Sequence, residues 1–245
     1  IIPKSDGNSK STAGDSFVYG NHLGVWYADI AYNINTHRLL RAYMEKPFED
    51  GSGIAFRNGF DGLWGLEYAS KSEDDVVPVR GIVFEYLQTT DQCGPVHWSP
   101  GDFSGMIEGK LPDNATGNDN YYNNYMYNGY CLYGMSMGTP LLMSPIYNAD
   151  SFWGFVDNRV KAWHLGIKGE LTNHWGYLVR GSYREGLGTY FVPLKQQHHS
   201  LDMLFQADWQ CGNWHLSAAY ANDLGNIYGD CHTFNFKVAY HGRIL

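Results

Sequence analysis

The sequence predicts an all-β protein: an antiparallel transmembrane β-barrel, of which this chain forms the C-terminal half. Three observations lead to this fold class. Apolar and polar residues alternate with a period of two over stretches of roughly nine to eleven residues, as in strands that cross a membrane. Short turns alternate with long loops, and Trp and Tyr recur near the strand ends. A soluble β-sandwich is the alternative, because its strands show the same alternation.

The alternation begins after a polar, Ser- and Gly-rich stretch at residues 1–21, which we interpret as a loop. From Gly24 to Asn35 the apolar residues fall on every second position, and a turn at Thr36-His37 leads to a second strand at Arg38–Lys46. The same pattern predicts seven further strands, at Leu63–Ala69, Val77–Gln88, Arg159–Leu171, Trp175–Tyr183, Leu201–Trp209, Trp214–Tyr220 and Phe234–Tyr240.

The connections between these strands alternate in length. Short turns are predicted near residues 36, 70–75, 172 and 211, and long loops at 48–60, 89–158, 184–197 and 222–231. Outer-membrane barrels have short periplasmic turns and long outer loops, so the pattern favours a membrane protein. Amphipathic rings near strand ends match interfacial girdles; they are Trp175, Tyr183, Trp209, Trp214, Tyr220 and Tyr240.

The predicted number of strands is nine, and an odd number cannot close the usual antiparallel bacterial barrel. We therefore expect residues 1–245 to be part of one barrel domain of about eighteen strands, with a large extracellular excursion at about 89–158. Two additional strands within 130–145 would give an odd number again. The chain opens with Ile-Ile, which indicates that a signal peptide has been removed or that the chain begins inside a longer protein.

Composition excludes several classes of function. The formal net charge is −8, whereas binding of nucleic acid requires clustered Lys and Arg. No apolar run approaches the roughly 20 residues of a membrane helix. The four cysteines, Cys93, Cys131, Cys211 and Cys231, have no CxxC spacing. Zinc is therefore not expected, and the pattern leaves open which cysteines, if any, are paired.

The stretch from Gly117 to Pro140 is rich in Tyr and Asn and almost uncharged. Tyr offers a flat apolar face with a hydroxyl, and Asn donates and accepts hydrogen bonds, which suits neutral ligands such as sugars. An ordered loop whose tyrosines bury one another is the alternative. The candidate sugar-binding residues, including two tryptophans of the same excursion, are Trp98, Tyr121, Tyr122, Asn123, Asn124, Tyr125 and Trp153.

Other chemistry is weakly indicated. Glu49, Asp50 and Ser52 are interpreted as residues of a structural loop; the alternatives are an acid/base pair and a calcium site that also includes Asp61. His198 and His199 are adjacent and would point to opposite faces of a strand, so they do not form a metal pair. The remaining histidines considered, His164, His215 and His241, are expected to line the lumen. Because no catalytic or nucleotide-binding motif occurs, we expect neither an enzyme nor a cofactor.

Several segments in order resemble one bacterial family. They are MEKPFEDGSG (44–53), NGFDGLWGLEY (58–68), FEYLQTTDQCGP (84–95), the Tyr/Asn stretch with its flanks (117–142) and NRVKAWHLGIKGEL (158–171). Together they resemble the capsule-assembly Wzi-like outer-membrane family, from about Asn21 to Leu245. The resemblance implies a barrel of about eighteen strands in the outer membrane of a Gram-negative bacterium. It also implies a surface lectin that holds capsular polysaccharide.

Three functional hypotheses follow. The first is a non-enzymatic barrel that binds capsular or other surface polysaccharide and assists capsule assembly or anchoring. The second is a porin-like channel with a water-filled lumen. The third is an accessory barrel subunit that docks other outer-membrane proteins. All three have outer-membrane lipid as a partner and none involves nucleic acid.

Overall fold

The computed structural model describes residues 24–48, 54, 56, 58–72, 76–91, 131–137, 141–189 and 193–242. Within these ranges the chain forms eleven strands and one short 3-10 helix, η1 (Pro145–Tyr147). The strands are β1 (Gly24–Asn35), β2 (Arg38–Phe48), β3 (Gly62–Ser70), β4 (Gly81–Gln88), β5 (Cys131–Leu132), β6 (Met135–Ser136), β7 (Val160–Thr172), β8 (Trp175–Gly188), β9 (Pro193–Cys211), β10 (Trp214–Gly225) and β11 (Cys231–Tyr240).

Nine of these strands form one antiparallel sheet in the order β1-β2-β3-β4-β7-β8-β9-β10-β11. Each strand pairs with its neighbours along the chain, except that β4 pairs with β7 across the long excursion. The short strands β5 and β6 form a separate hairpin. The all-β prediction and the nine predicted strands are confirmed. Over the described residues the sheet is open, with β1 and β11 at its edges.

The register places every second residue of all nine strands on one continuous surface, here called the apolar face. Residues opposite each other on neighbouring antiparallel strands lie on the same face. One row of partners runs through β1, β2, β3, β4 and β7 as Ile30, Ala42, Leu66, Phe84 and Leu165. A second row runs through β8 to β11 as Val179, Phe205, Tyr220 and Phe234.

The apolar face is exposed. Ile30 has 78% of its surface accessible and Phe234 has 80%, and the rings of Trp26, Phe205 and Phe236 are exposed as well. The buried apolar residues described form one small cluster of five at the far side of the sheet. The predicted alternation is therefore present, but the large side chains point away from the small core.

The opposite surface, here called the polar face, carries a complete row of mostly polar partners. This row reads, from β1 to β10, Asp29, Tyr43, Gly65, Glu85, His164, Ser182, Asp202 and Asp223. Several charges are neutralised across strands: Arg41 lies 3.2 Å from Glu67 and 3.5 Å from Asp29, and Tyr43 donates to Glu85. His164 and His215 lie on this face as predicted, whereas His241 follows the last strand.

The two ends of the sheet differ. At the turn end the connections are residues 36–37, 71–80, 173–174 and 212–213; at the loop end they are 49–61, 89–159, 189–192 and 226–230. The predicted loops at 184–197 and 222–231 are too long, because β8 and β9 continue through most of the first and β10 extends into the second as far as Gly225. The predicted strand at Val77–Gln88 is also too long, since β4 begins at Gly81.

The extension of β8 has a clear physical cause. Arg184, Glu185 and Gly186 pair in register with Ser200, His199 and His198. A Cβ atom at Gly186 would lie 1.9 Å from Oδ2 of Asp157, so the glycine makes room for a carboxylate that packs on the strand. The alternation of apolar and polar residues ends before Arg184 because Arg184 and Gly186 lie under the excursion, where the two faces of the strand are no longer distinguished by polarity.

Replacement of Gly169 by Ala tests the register at the turn end. Its Cβ would lie 2.1 Å from the carbonyl oxygen of Pro78, a backbone atom that also accepts a hydrogen bond from Tyr177. We expect Gly169→Ala to lower the free energy of unfolding by roughly 1–3 kcal/mol, measured by urea denaturation. Gly181→Ala is the matched control, because no atom lies within 4 Å of its added methyl group. Equal effects of the two changes would contradict this register.

Candidate functional site

The candidate site is built on the segment 131–158 at the loop end, which packs against the polar face of the sheet. Leu87 and Ala162 are partners on β4 and β7 and point to that face. Together with Val160 they bury Leu142 and Phe155 of the segment, which are almost completely inaccessible. The described core of the protein is therefore the contact between this segment and the sheet.

Asp157 anchors the C-terminal end of the segment. Its Oδ2 lies 2.8 Å from Nη2 of Arg184 on β8, and its Oδ1 accepts the backbone N–H of Gly188 at 2.8 Å. His198 on β9 approaches the same carboxylate at 3.4 Å. The side chain of Arg184 is only 2% exposed, and a buried charge of this kind requires a partner. The ion pair and the Gly188 hydrogen bond therefore fix the segment to β8.

Asp61 plays a comparable role at the start of the excursion. Its carboxylate accepts the backbone N–H groups of Thr90 and Asp91 at 2.9 and 2.8 Å. The ammonium of buried Lys46 donates to the carbonyl oxygens of Gly59 and Asp61, both at 2.7 Å. Asp61 therefore holds the backbone together at this point; Glu49, Asp50 and Ser52, its companions in the alternative calcium site, lie outside the described residues.

The two ends of the excursion are also tied directly to each other. The Thr89 hydroxyl donates to the carbonyl oxygen of Asn158 at 2.7 Å and accepts the N–H of Val160 at 3.0 Å. Arg159 donates from Nε to the carbonyl oxygen of Thr90 at 2.9 Å. The excursion therefore leaves the sheet and returns to it through one hydrogen-bonded base.

Above this base, the β5–β6 hairpin presents Tyr133. Both residues of its two-residue turn have positive φ, 48° at Tyr133 and 78° at Gly134, which is the conformation of a type I′ turn. A tyrosine rarely adopts such a φ, and its side chain is 89% exposed. The N–H of Ile146 donates to the carbonyl oxygen of Gly134 at 3.0 Å, which holds the turn against η1.

The loop after η1 presents two more aromatic side chains. Asn148 donates from Nδ2 to the carbonyl oxygens of Phe152 and Gly154, at 2.6 and 2.8 Å. Asp150 accepts the N–H of Phe152 at 3.0 Å, as in an Asx turn. This loop exposes Phe152 and Trp153, the latter with 73% of its surface accessible.

The loop between β10 and β11 adds Tyr228, whose ring meets Tyr147 of η1 edge to face at 6.2 Å between centroids. Partial burial raises the pKa of the Tyr228 hydroxyl, while Arg184 opposes the shift. We define the aromatic surface as Tyr133, Tyr147, Phe152, Trp153 and Tyr228, all exposed at the loop end. Exposed rings with hydroxyl and indole N–H groups can stack on an apolar ligand face and hydrogen bond at its edge.

Of the sequence-predicted sugar-binding residues, the structure describes Trp153, and it belongs to this surface. The others, Trp98, Tyr121, Tyr122, Asn123, Asn124 and Tyr125, lie outside the described residues. The other members of the aromatic surface, Tyr133, Tyr147, Phe152 and Tyr228, are not among the residues predicted from the sequence. Tyr133 is part of the Tyr/Asn stretch and could have been included, whereas Tyr228 is brought to the site only by the sheet. In the described ranges no group of three metal-ligating side chains is assembled.

Removal of the charge of Asp157 tests the anchor. Asp157→Asn keeps the shape of the side chain but leaves Arg184 buried without its carboxylate, which costs about 3–5 kcal/mol when a buried pair is broken. We expect lower stability and faster amide hydrogen exchange over 141–158. Asp150→Asn is the matched control, because it is exposed in the same segment and pairs with a backbone N–H. Unchanged exchange in Asp157→Asn would show that the ion pair does not hold the segment.

Comparisons of the chain with protein-family models, with curated proteins and with solved structures found no match. No helix in the described ranges is long and apolar enough to cross a membrane. The function inferred for the chain therefore rests on its own sequence and geometry.

Proposed function

We propose that the protein is an outer-membrane β-barrel that binds surface polysaccharide at its loop end and assists capsule assembly or anchoring. The observation that carries the proposal is the apolar face, which is continuous over nine strands and exposed. In a soluble sandwich this face would be buried against a second sheet. A bilayer is the solvent in which an exposed face of this extent is stable.

The dimensions of the apolar face support a membrane location. On β8, Trp175 at the turn end and Tyr183 at the loop end lie eight residues apart, which corresponds to about 27 Å at the strand rise of 3.4 Å. Trp209, Trp214 and Tyr240 continue the aromatic row at the turn end. At the loop end, one row of cross-strand partners is Trp64, Tyr86, Trp163 and Tyr183. Two rows rich in Trp and Tyr at the two ends of the apolar face match the girdles of outer-membrane barrels.

The edges of the sheet support a larger barrel. Strands β1 and β11 both run from the loop end to the turn end, because seven strands lie between them in alternating directions. Closure by antiparallel pairing alone therefore requires an odd number of further strands. Nine further strands would give the proposed barrel of about eighteen. Without partners, the long apolar edges would be aggregation-prone.

The loop end supports polysaccharide binding over conduction. The aromatic surface offers exposed stacking faces, which is the chemistry that sugar ligands require. The same segment covers the polar face at the loop end, where a porin needs an open path. The proposal also retains the Wzi-like resemblance, whose lectin role agrees with this arrangement.

Two native cysteines test the orientation in the membrane. Cys231 lies at the loop end of β11 and Cys211 at the turn end of β9, and both are free and exposed. With the other three cysteines replaced by Ser, we expect a bulky impermeant maleimide to label a Cys231-only protein on intact cells. A Cys211-only protein should be labelled only after lysis.

A Cys131-only protein provides a reactivity control, because burial raises the pKa of its thiol and lowers the fraction of reactive thiolate. It should react more slowly than the Cys231-only protein even in lysed cells. Labelling of Cys211 on intact cells would contradict the proposed orientation. Labelling of neither Cys211 nor Cys231 on intact cells, with both labelled after lysis, would contradict surface exposure of the loop end.

Glycan binding tests the function. We expect Trp153→Ala and Tyr133→Ala each to weaken binding to the capsular polysaccharide of the source strain by about threefold to tenfold, from an aromatic contact of roughly 0.5–1.5 kcal/mol. A combined Tyr121→Ala and Tyr122→Ala variant should also lose affinity. The measurement is surface plasmon resonance or a glycan array with the purified barrel.

Phe60→Ala is the control for this experiment, because Phe60 is also exposed at the loop end but lies outside the aromatic surface. Its affinity should equal that of the native protein. If the native protein binds no glycan, or if all variants bind equally, the polysaccharide role is wrong, while the membrane location can still be decided by the cysteine labelling.

A further inference from the structure

A cavity on the polar face near the turn end lies far from the aromatic surface. It has a volume of about 380 Å³ and is open to solvent on one side. Its polar and charged lining comes from β3, from Arg80 just before β4, and from β7 and β8. The residues that matter here are Glu67, Arg80, His164, Lys168 and Arg180.

The cavity exists because the row of side chains on this face is interrupted. Gly166 on β7 lies between its cross-strand partners Val83 on β4 and Arg180 on β8. Only the stem of Arg180 approaches the position of a Cβ at Gly166, at 4.0 Å. The absence of a side chain on β7 leaves a depression between Glu67 on one side and Arg180 on the other. His164 and Lys168 lie two residues before and after Gly166 on the same face.

Among the described residues around the depression, two basic side chains lack an acidic partner. Arg80 is paired with Glu170 at 2.6 Å, and Glu67 is paired with Arg41 at 3.2 Å. Within the described part of the chain, Lys168 and Arg180 have no carboxylate within salt-bridge distance, and both are exposed. The Nδ1 atom of His164 lies 2.6 Å from the Ser182 hydroxyl and is hydrogen bonded to it.

We propose that this cavity binds the oxyanion group, a carboxylate or a phosphate, of a small soluble molecule. Arg180 is suited to bind a carboxylate or phosphate because its planar guanidinium can donate two parallel hydrogen bonds to either group. Lys168 supplies a second positive charge from the next position on that side of β7. In a closed barrel this site would face the lumen, away from lipid. It is independent of the polysaccharide site, which lies at the other end of the sheet.

The test is calorimetric titration of the folded protein in detergent with inorganic phosphate and, separately, with citrate. We expect both anions to bind at low ionic strength and more weakly as KCl is added. Arg180→Gln should weaken binding about tenfold or more, as expected for loss of a charge-assisted hydrogen bond. Lys168→Gln should weaken it about threefold to tenfold, since it contributes charge without a bidentate contact.

Two further variants make the result decisive. Gly166→Val keeps every charge but fills the floor of the cavity, so it should abolish binding of both anions. Lys237→Gln removes a positive charge from the polar face of β11, outside the cavity, and should leave binding unchanged. If a phosphate is favoured, phosphate will bind more tightly than citrate, and the reverse order indicates a carboxylate ligand. The proposal is overturned if the native protein binds neither anion, or if Lys237→Gln weakens binding as much as Arg180→Gln.

Discussion

The alternation of side chains along each strand, kept in phase across nine strands, is the constraint on which the structure depends. Because the side-chain period is two, a slip by one residue in any single pairing would move that strand's rings to the polar face. The register avoids this from Ile30 to Phe234. One sheet therefore presents an exposed apolar face and a mostly polar face, of which the polar face is covered at the loop end by Leu142 and Phe155.

At the loop end the sheet supports the excursion that carries most of the aromatic surface. The excursion supplies two of the five buried apolar residues, Leu142 and Phe155, and they pack on the polar face against Leu87, Val160 and Ala162 of the sheet. Buried Asp61 and Asp157 then satisfy backbone and guanidinium donors that would be costly to leave unpaired. Most of the exposed rings of the aromatic surface thus lie on a segment that is joined to the sheet by hydrogen bonds, an ion pair and buried apolar contacts.

Periodicity was sufficient to predict the strands whose two faces meet different surroundings. It failed at the loop end of β8 and β9, where Arg184 and Gly186 are covered by the excursion and no longer alternate in polarity. Trp153 could be predicted as a site residue because it is an aromatic residue within the long excursion. Tyr228 could not, because its proximity to Tyr147 depends on the return of distant strands, and the left-handed backbone of Tyr133 is set by a turn that local composition does not specify.

The pairing of β4 with β7 divides the chain into two sets of hairpins. Within β1–β4 and within β7–β11 every strand pairs with its neighbour in the chain, so each set can form locally. The pairing of Gln88 with Lys161, in contrast, spans the whole excursion. The entropic cost of loop closure rises slowly with loop length, by about 0.6 kcal/mol per doubling, so a long excursion adds little to the free energy of pairing β4 with β7. Because this contact is non-local, it is expected to form late in folding. We expect folding to end there, when the Thr89 hydroxyl engages Asn158 and Val160 and locks the two halves together.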